Sequence, residues 1–317
     1  MCNNLENAYW FYETGVSNIQ FPRCYNMYQE LVTSVRNVLK TVIKYRPQNR
    51  IDGIRNIWIL KPGDDSLGRG IVLKSSMVDI LAKVTQAAKE NTEYVVQKYI
   101  ERPLLVHKTK VDIRQWFLIT STQPLVVWIF KDILIRFASR DFTLSDFHES
   151  IHLCNTTVQL KYRKLPRCNS DLPEELHWNL QDFKNYLQYF YSTNFPVNRA
   201  LLASQDNMVN RKNSFQLYGA DFVVADDFSV WLLEINTNPR LHPPSSEVTA
   251  KLYPEVIEDA MKVVLDLRKN KKASCGRFEC IYKQRNPFYG VNVLGQGTSL
   301  GIRGKGLFVT PKLPRDL

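Results

Sequence analysis

The sequence has no apolar run of the length that crosses a membrane, and its first residues do not resemble a signal peptide. Cysteine is sparse, with six residues scattered at positions 2, 24, 154, 168, 275 and 280. Cys275 and Cys280 lack a second pair at zinc-finger spacing, so we do not expect a zinc site there. We predict a cytosolic protein whose thiols are all reduced.

Familiar catalytic signatures are also missing. No glycine-rich loop continues into Gly-Lys-Ser/Thr, as a Walker loop would, and no Rossmann fingerprint is present. His152 stands close to Cys154, but no third residue supports a nucleophile, so we expect both side chains to be structural. The sequence therefore offers no covalent catalyst.

The chain is strongly basic, because 42 lysines and arginines outnumber 31 aspartates and glutamates and give a net charge of +11 over 317 residues. Such a charge favours an acidic partner, which can be a nucleic acid, an anionic membrane or an acidic polypeptide. No nucleic-acid-binding module is recognisable. The length allows two or three small domains.

The stretch from residue 218 to 239 predicts a β-hairpin. Its residues 221–225 and 229–235 are rich in β-branched and aromatic side chains. Asp226-Asp227 between them supplies turn chemistry, and we expect these two carboxylates to be solvated.

The same hairpin predicts a metal site. Side chains alternate along a strand, so Glu234 and Asn236 share one face, and folding at the turn brings Asp221 near them. Two carboxylates and an amide oxygen in apolar surroundings need a positive partner, and Mg²⁺ prefers such hard oxygen ligands. We predict that Asp221, Glu234 and Asn236 hold Mg²⁺.

A second candidate region begins at the short apolar strand of residues 56–60. Lys61 follows at once, and the glycine-rich loop of residues 62–70 leads into another strand, residues 71–73. Glycines let backbone N–H groups approach phosphate oxygens, and a lysine adds a point charge. This pattern indicates a flap that closes over phosphate, although glycine hairpins are common.

A third region is the strand around residues 110–119. Lys110, Asp112 and Arg114 alternate with aliphatic residues, which places three charges on one strand face. A solvated face is the usual explanation, but the strand runs on into Trp116-Phe-Leu-Ile119, which is typical of an interior. A ligand-facing role therefore becomes plausible.

The remaining pattern predicts alternating helices and strands. We expect strands at 94–100, 125–130, 132–136 and 278–282, with a break near Lys131, and a loop-like region at 138–169. We expect helices at 29–45, 77–91, 173–191, 198–209 and 245–268, the third capped by Ser170 or Asp171 and the last broken or kinked at Pro254.

These motifs, in this order, resemble those of the ATP-grasp ligases and in detail the tubulin tyrosine ligase-like family, closest to its tubulin glycylase branch. The resemblance extends from about residue 55 to 282 and rests on five segments: Trp58-Ile-Leu-Lys-Pro-Gly63, Gln97-Lys-Tyr-Ile-Glu-Arg-Pro-Leu-Leu105, Asp112-Ile-Arg-Gln-Trp-Phe-Leu118, Ile151-His-Leu-Cys-Asn155 and Tyr218-Gly-Ala-Asp-Phe222. It implies an α/β (α+β) fold in which ATP lies between two mostly antiparallel β-layers. It further implies four parts: an incomplete N-terminal region at 1–54, a central subdomain at 55–105, a C-terminal subdomain at 106–272 and a basic glycine-rich extension at 273–317.

The resemblance also implies residue roles. Lys61 and Lys110 would contact phosphates, Asp112 the nucleotide sugar, and Arg114 and Arg136 a phosphate or the carboxylate being activated. Glu234 would take part in catalysis and, with Asp221 and Asn236, carry Mg²⁺. The remaining ATP-binding positions implied by the family are Gly68, Arg69 and Gly70 in the flap and Gln97, Lys98, Tyr99 and Ile100 beside the adenine.

The implied activity joins free glycine through an isopeptide bond to glutamate side chains of tubulin C-terminal tails, by way of an acyl phosphate. The acidic tails suit a basic enzyme, at microtubules in the cytoplasm and in a cilium or flagellum, with no nucleic acid or membrane as partner. A glutamate-adding ligase is one alternative. A catalytically weak microtubule-binding relative is another, because Leu67 replaces the flap's usual basic residue, Asp64 and Asp65 add negative charge, and only about fifty residues precede the flap.

Overall fold

The computed structural model describes residues 1–8, 20–27, 53–63, 67–165, 169–187 and 198–284. Residues 1–287 form one compact unit. The helix predicted at 29–45, Asp64, Asp65, Cys168 and the glycine-rich tail from residue 285 onward lie outside the described residues.

Two β-sheets form the framework. In the small sheet the strand order is β1-β4-β2-β3, and in the large sheet it is β10-β9-β6-β7-β11, with β5 paired to β6 and β8 to β7. Every pairing between these strands is antiparallel, which confirms the predicted α+β class. The strands are β1 Cys24–Met27, β2 Trp58–Pro62, β3 Val72–Lys74, β4 Tyr94–Lys98, β5 Leu105–Val106, β6 Thr109–Thr122, β7 Leu125–Asp141, β8 His177–Trp178, β9 Gln216–Val224, β10 Val230–Asn236 and β11 Phe278–Lys283.

The helices are short apart from two. They are α1 Cys2–Asn7, α2 Met77–Lys89, α3 Glu149–His152, α4 Thr156–Leu160, α5 Leu180–Leu187, α6 Asn198–Ser204, α7 Glu247–Met261 and α8 Leu267–Lys269, with a 3₁₀ turn at Gln205–Asn207 and a wide π turn at Lys262–Asp266. Among the described residues, no helix combines the length and apolarity that a bilayer span needs.

The helix predicted at 77–91 is confirmed as α2. Ser76 caps its N-terminus, because the Ser76 side chain accepts a hydrogen bond from the Val78 N–H. Ile80, Val84 and Ala87 are its buried residues, and their helical spacing makes one stripe against the small sheet.

Strand β7 continues through the predicted break near Lys131, but its pairing with β6 is irregular there, since Gln115 pairs with Ile133 and Phe117 with Ile129. Lys131 points outward and pairs with Glu279 at 3.5 Å, while its N–H donates to the Arg277 carbonyl. The carboxylate of Asp132 accepts hydrogen bonds from the N–H groups of Ile133 and Leu180. Tertiary partners therefore satisfy the polar pair that suggested a strand end.

Three other boundaries differ from the prediction. Residues 177–178 pair with β7 as a strand, so the helix predicted from 173 begins at Leu180, where Asn179 caps it through Gln181 and Asp182. The helix predicted to break at Pro254 continues through it, because α7 packs its buried face on the large sheet. The predicted loop at 138–169 holds the end of β7 and the short helices α3 and α4.

The prediction that all thiols are reduced is also contradicted. Cys2 and Cys24 form a disulfide with their Cα atoms 6.0 Å apart. Helix α1 packs against β1, so residues distant in sequence reach bonding distance. Among the described cysteines, Cys154, Cys275 and Cys280 are free.

Candidate functional site

Two adjoining cavities, which we call the outer cleft and the inner cavity, lie between the small and the large sheet. The outer cleft has a volume of about 610 Å³ and the inner cavity about 60 Å³. Seven residues line both cavities and so join them, namely Lys61, Ile71, Gln97, Arg136, Asn155, Leu233 and Glu234.

Nearly all predicted site residues line these cavities. Gly68, Arg69, Arg114 and Asn236 line only the outer cleft. Six further predicted site residues line the inner cavity and not the outer cleft: Lys98, Tyr99, Ile100, Lys110, Asp112 and Asp221. Gly70 lies outside both walls, with its carbonyl accepting a hydrogen bond from the Tyr94 hydroxyl at 3.2 Å.

The central hairpin is confirmed, and its register brings the acidic residues together. Strand β10 pairs with β9 so that Glu234 stands opposite Asp221, after a bulge between Leu232 and Glu234. Asn236 follows two residues later on the same strand, and its amide nitrogen lies 3.2 Å from Glu234 Oε1 and 3.4 Å from Asp221 Oδ2. The three predicted metal ligands therefore converge.

Two arginines from neighbouring strands bind Asp221. Arg114 Nε and Nη2 donate to the two carboxylate oxygens at 2.5 and 2.9 Å, in a bidentate pair. Arg136 Nη2 lies 3.1 Å from Asp221 Oδ2, and Arg136 Nε binds Asp112 Oδ1 at 2.5 Å. The charged face predicted for β6 is thus turned inward and paired.

The ion pairs among Asp112, Arg114, Arg136 and Asp221 determine the pKa values of Asp221 and Arg136. Burial alone would raise the pKa of Asp221, but Arg114 and Arg136 outweigh it and hold that pKa well below its usual range. Burial disfavours the cationic form of Arg136, yet Asp112 and Asp221 raise its pKa overall. Both groups are therefore charged at neutral pH.

Glu234 has a different environment. Its side chain is 37% exposed and its Oε2 lies 3.8 Å from Lys61 Nζ. Burial lowers the pKa of Lys61, against the opposing charges of Glu234 and Asp221. Glu234 is consequently the carboxylate of the cluster that remains open toward a ligand.

The flap meets helix α4. A Cβ placed on Gly68 would lie 2.7 Å from Val158 Cγ2 and 3.3 Å from Asn155 Oδ1, so only glycine fits there. Leu67 beside it also has a left-handed backbone, with φ of 65°, and is 42% exposed. The residue that departs from the family pattern is thus a strained, exposed leucine on the cleft wall.

Lys98 has a structural side chain. Its ammonium lies 2.6 Å from Glu101 Oε1 and donates to the Ile57 carbonyl at 2.9 Å, with both charged side chains 1% exposed. Glu101 also accepts from the Ile57 N–H at 2.7 Å. This buried pair joins the start of β2 to the end of β4.

His152 and Cys154 do not form a catalytic pair. The two His152 ring nitrogens hydrogen-bond to the Tyr99 hydroxyl and the Asp146 carbonyl, and burial lowers the pKa of His152 to about 4. Burial also raises the pKa of Cys154 to about 12, which keeps the thiol protonated. The prediction of structural roles is supported for both.

Sequence patterns gave no role to several cleft residues. Asn155 precedes α4 without capping it through its side chain, and it lines both cavities. Tyr253 of α7 and Trp116 of β6 meet edge to face, with ring centroids 6.0 Å apart, on the outer wall. An asparagine at a helix start whose side chain is not used in capping is recognisable only once the structure is known.

Comparison with known proteins agrees with this geometry. The model of the tubulin-tyrosine ligase family matches residues 1–272. Tubulin glycylase 3A of Drosophila melanogaster is 43% identical over 85% of this chain and 29% of its own length. Tubulin monoglycylase TTLL3 of Danio rerio is 42% identical over 80% of the chain and 35% of its own length. Protein monoglycylase TTLL8 of Mus musculus is 37% identical over 94% of the chain and 37% of its own length.

The chain spans about a third of the length of these relatives. The family match extends from the N-terminal helix through α8 and leaves out only β11 among the described strands, so it includes every residue of the converging charged cluster. Because that match exceeds half of the chain, it settles membership: the chain belongs to the tubulin-tyrosine ligase family.

Proposed function

We propose that this chain is an ATP- and Mg²⁺-dependent ligase that joins free glycine to glutamate side chains of tubulin C-terminal tails. The observation that carries the proposal is the junction of a small inner cavity and a wide outer cleft at Lys61, Arg136 and Glu234. The inner cavity is too small for a whole nucleotide, so we propose that ATP extends from it into the outer cleft, where the acidic peptide also binds. The relatives named as glycylases support glycine as the amino acid.

The proposed reaction has two steps. An oxygen of the substrate glutamate attacks the γ-phosphorus of ATP, the bond from that phosphorus to the bridging oxygen breaks, and ADP leaves. The neutral amine of glycine then attacks the acyl carbon, a C–N bond forms as the C–O bond to phosphate breaks, inorganic phosphate leaves, and the nitrogen loses one proton and keeps one. Phosphoryl transfer of this kind requires positioning and charge neutralisation more than a protein nucleophile.

The residues divide this work by position. Lys61 and Lys110 are proposed to contact phosphate oxygens, and Asp112 to contact the sugar. Arg136, which lines both cavities, is proposed to neutralise the transferred group, and Arg114, which lines the outer cleft, to hold the substrate carboxylate. In the family's ATP site, Gln97 to Ile100 and the flap from Gly68 to Gly70 would enclose the rest of the nucleotide.

The donor set fits Mg²⁺. Glu234 is open to solvent, Asn236 can present its amide oxygen by rotation, and Asp221 Oδ1 accepts only one hydrogen bond and so keeps a lone pair. In the described ranges, no group of three or more histidine, cysteine, aspartate or glutamate residues surrounds a common point. We propose that substrate phosphates supply further ligands to the metal. When bound, Mg²⁺ supplies charge neutralisation at the phosphates.

The test is incorporation of labelled glycine or glutamate into tubulin with Mg-ATP, beside a Glu234→Gln control. Glycine incorporation that the control lacks supports the proposal. Glutamate incorporation would support the same ligase chemistry, with glutamate and not glycine as the amino acid that is added. Absence of both labels, without a thermal shift by Mg-ATP, favours the microtubule-binding relative instead. Action on tubulin would place the protein at the cytoskeleton, and we propose the axoneme of a cilium or flagellum as the setting.

A further inference from the structure

A second basic surface lies away from the candidate site, and we call it the basic patch. It consists of residues 209–215, which precede β9, and residues 265–272, which contain α8 and the turn after it. The only carboxylate in these two segments is Asp266. Their exposed cations are Arg211, Lys212, Arg268, Lys269, Lys271 and Lys272.

The two segments form one ordered surface. Arg268 Nη2 donates to Asn213 Oδ1 at 2.9 Å, which joins the end of α8 to the loop before β9. The N–H of Lys272 donates to Asn270 Oδ1 at 3.0 Å and fixes the following turn. Among the described residues, the ion pairs of this part of the sequence use Lys262 and Arg277 and none of the six patch cations, whose charges are therefore not neutralised within the chain.

Apolar side chains are interleaved with the charges. Val209 is 70% exposed, Leu265 51% and Phe215 42%. A mixture of cations and exposed apolar side chains is suited to an acidic protein surface, where both kinds of contact contribute. The cations come from two turns and not from one continuous groove, which a nucleic-acid backbone would require.

The basic patch is far from the outer cleft. The Thr122 hydroxyl donates to Asn210 Oδ1 at 3.4 Å, so the patch adjoins the turn between β6 and β7. Arg114 stands eight residues earlier on β6, and at about 3.3 Å per residue the separation along the strand is about 26 Å. A partner residue that binds at Arg114 therefore cannot also contact the basic patch, and the patch must contact a different part of the partner.

We propose that the basic patch docks the folded acidic body of the protein whose flexible tail enters the outer cleft. The choice of tubulin as that body rests on the proposed function, whereas the charge and exposure of the patch do not. An extended chain spans at most about 3.5 Å per residue, so a tail leaving the body beside the patch needs at least about eight residues to reach Arg114. Glutamates nearer to the body are therefore not modified.

The experiment uses two triple variants of the full chain. Lys269→Gln, Lys271→Gln and Lys272→Gln together neutralise half of the patch. The matched control removes the same charge at three exposed lysines elsewhere: Lys89→Gln, Lys164→Gln and Lys251→Gln. Each is sedimented with microtubules whose tails have been removed by limited proteolysis, at low and at physiological salt.

The wild type is expected to bind these tail-less microtubules, more weakly at higher salt. We expect the patch variant to need about tenfold more microtubules for half-saturation, from the loss of three partly screened ion pairs, and the control to stay within about twofold of the wild type. Both variants should retain the wild-type thermal shift with Mg-ATP and the wild-type rate on a short acidic peptide.

Three results would overturn the proposal. The wild type could fail to bind tail-less microtubules, or both variants could lose binding equally. In parallel sedimentation with anionic vesicles or DNA, the patch variant could lose binding to these and not to microtubules. The last result would reassign the patch to a membrane or a nucleic acid. Sedimentation requires no catalysis, so a protein that adds no glycine to any substrate still gives a decisive answer about docking.

Discussion

The two carboxylates of the proposed metal site should affect the ligand-free protein in opposite ways. Asp221 is 3% exposed and balances two arginines, whereas Glu234 is 37% exposed on its side chain and faces Lys61 at 3.8 Å. Replacement of each by its amide changes one charge and almost no volume. The pair therefore separates a structural charge from a ligand-binding charge.

The magnitudes follow from burial. Removing one partner of a buried ion pair costs about 3–5 kcal/mol, and because Arg136 retains Asp112 we expect Asp221→Asn to lower the free energy of unfolding by about 2–4 kcal/mol. At about 2 °C per kcal/mol for a domain of this size, Tm should fall by about 4–8 °C. Glu234→Gln breaks only a long, partly screened pair, and we expect a loss under about 0.5 kcal/mol.

The pH dependence gives an independent check. The pKa of Asp221 is depressed in the folded state, so its contribution is complete above the unfolded pKa of about 4 and is lost as pH falls toward the folded value. Below about pH 4 the wild type should lose stability more steeply than Asp221→Asn.

The assay is urea unfolding at pH 7 and at pH 3, followed by thermal shifts with and without Mg-ATP. Both variants should lose the Mg-ATP shift, because each removes a proposed metal ligand. If Glu234→Gln destabilised the ligand-free protein as much as Asp221→Asn, the division of roles derived from burial would be refuted.

Three further outcomes can be measured. Glu101→Gln leaves the Lys98 ammonium buried without a counter-charge, and urea unfolding should show a loss of about 3–5 kcal/mol, whereas a loss under about 1 kcal/mol would contradict the structural role. Gly219→Ala would place a Cβ 2.9 Å from Arg114 Cδ, so kcat/KM should fall about tenfold or more, with a lower Tm because the Arg114–Asp221 pair is disturbed, and unchanged kcat/KM would show that Arg114 tolerates displacement. Cys154→Ala should retain glycine transfer within about threefold, because the thiol is protonated and buried, and complete loss of transfer with a native Tm would restore the nucleophile hypothesis.

Local patterns were reliable where chemistry repeats with the period of the backbone. The alternation of Lys110, Asp112 and Arg114 predicted a charged strand face, and the hairpin pattern predicted that Glu234 and Asn236 approach Asp221. Both follow from geometry within one strand or between adjacent strands. The roles of these residues in binding ATP and Mg²⁺ remain proposals.

Patterns failed where distant segments supplied the missing partners. The polar residues Lys131 and Asp132 predicted a break in the strand. Instead β7 continues, because Glu279 pairs with Lys131, and Arg277 and the N–H of Leu180 pair with the Asp132 carboxylate. The sequence of one segment does not show which groups of a distant segment will contact it in the folded protein.

The sequence by itself determined the class of the fold, the hairpin with its acidic face, and the family, since these depend on local periodicity and on motifs in order. Only the tertiary structure decided which charges are paired. Arg114 and Arg136 neutralise Asp221 and leave Glu234 open, because four strands from two separate parts of the chain bring their side chains to one place. Electrostatic energy depends on distance and burial in space, and neither is written in the order of residues.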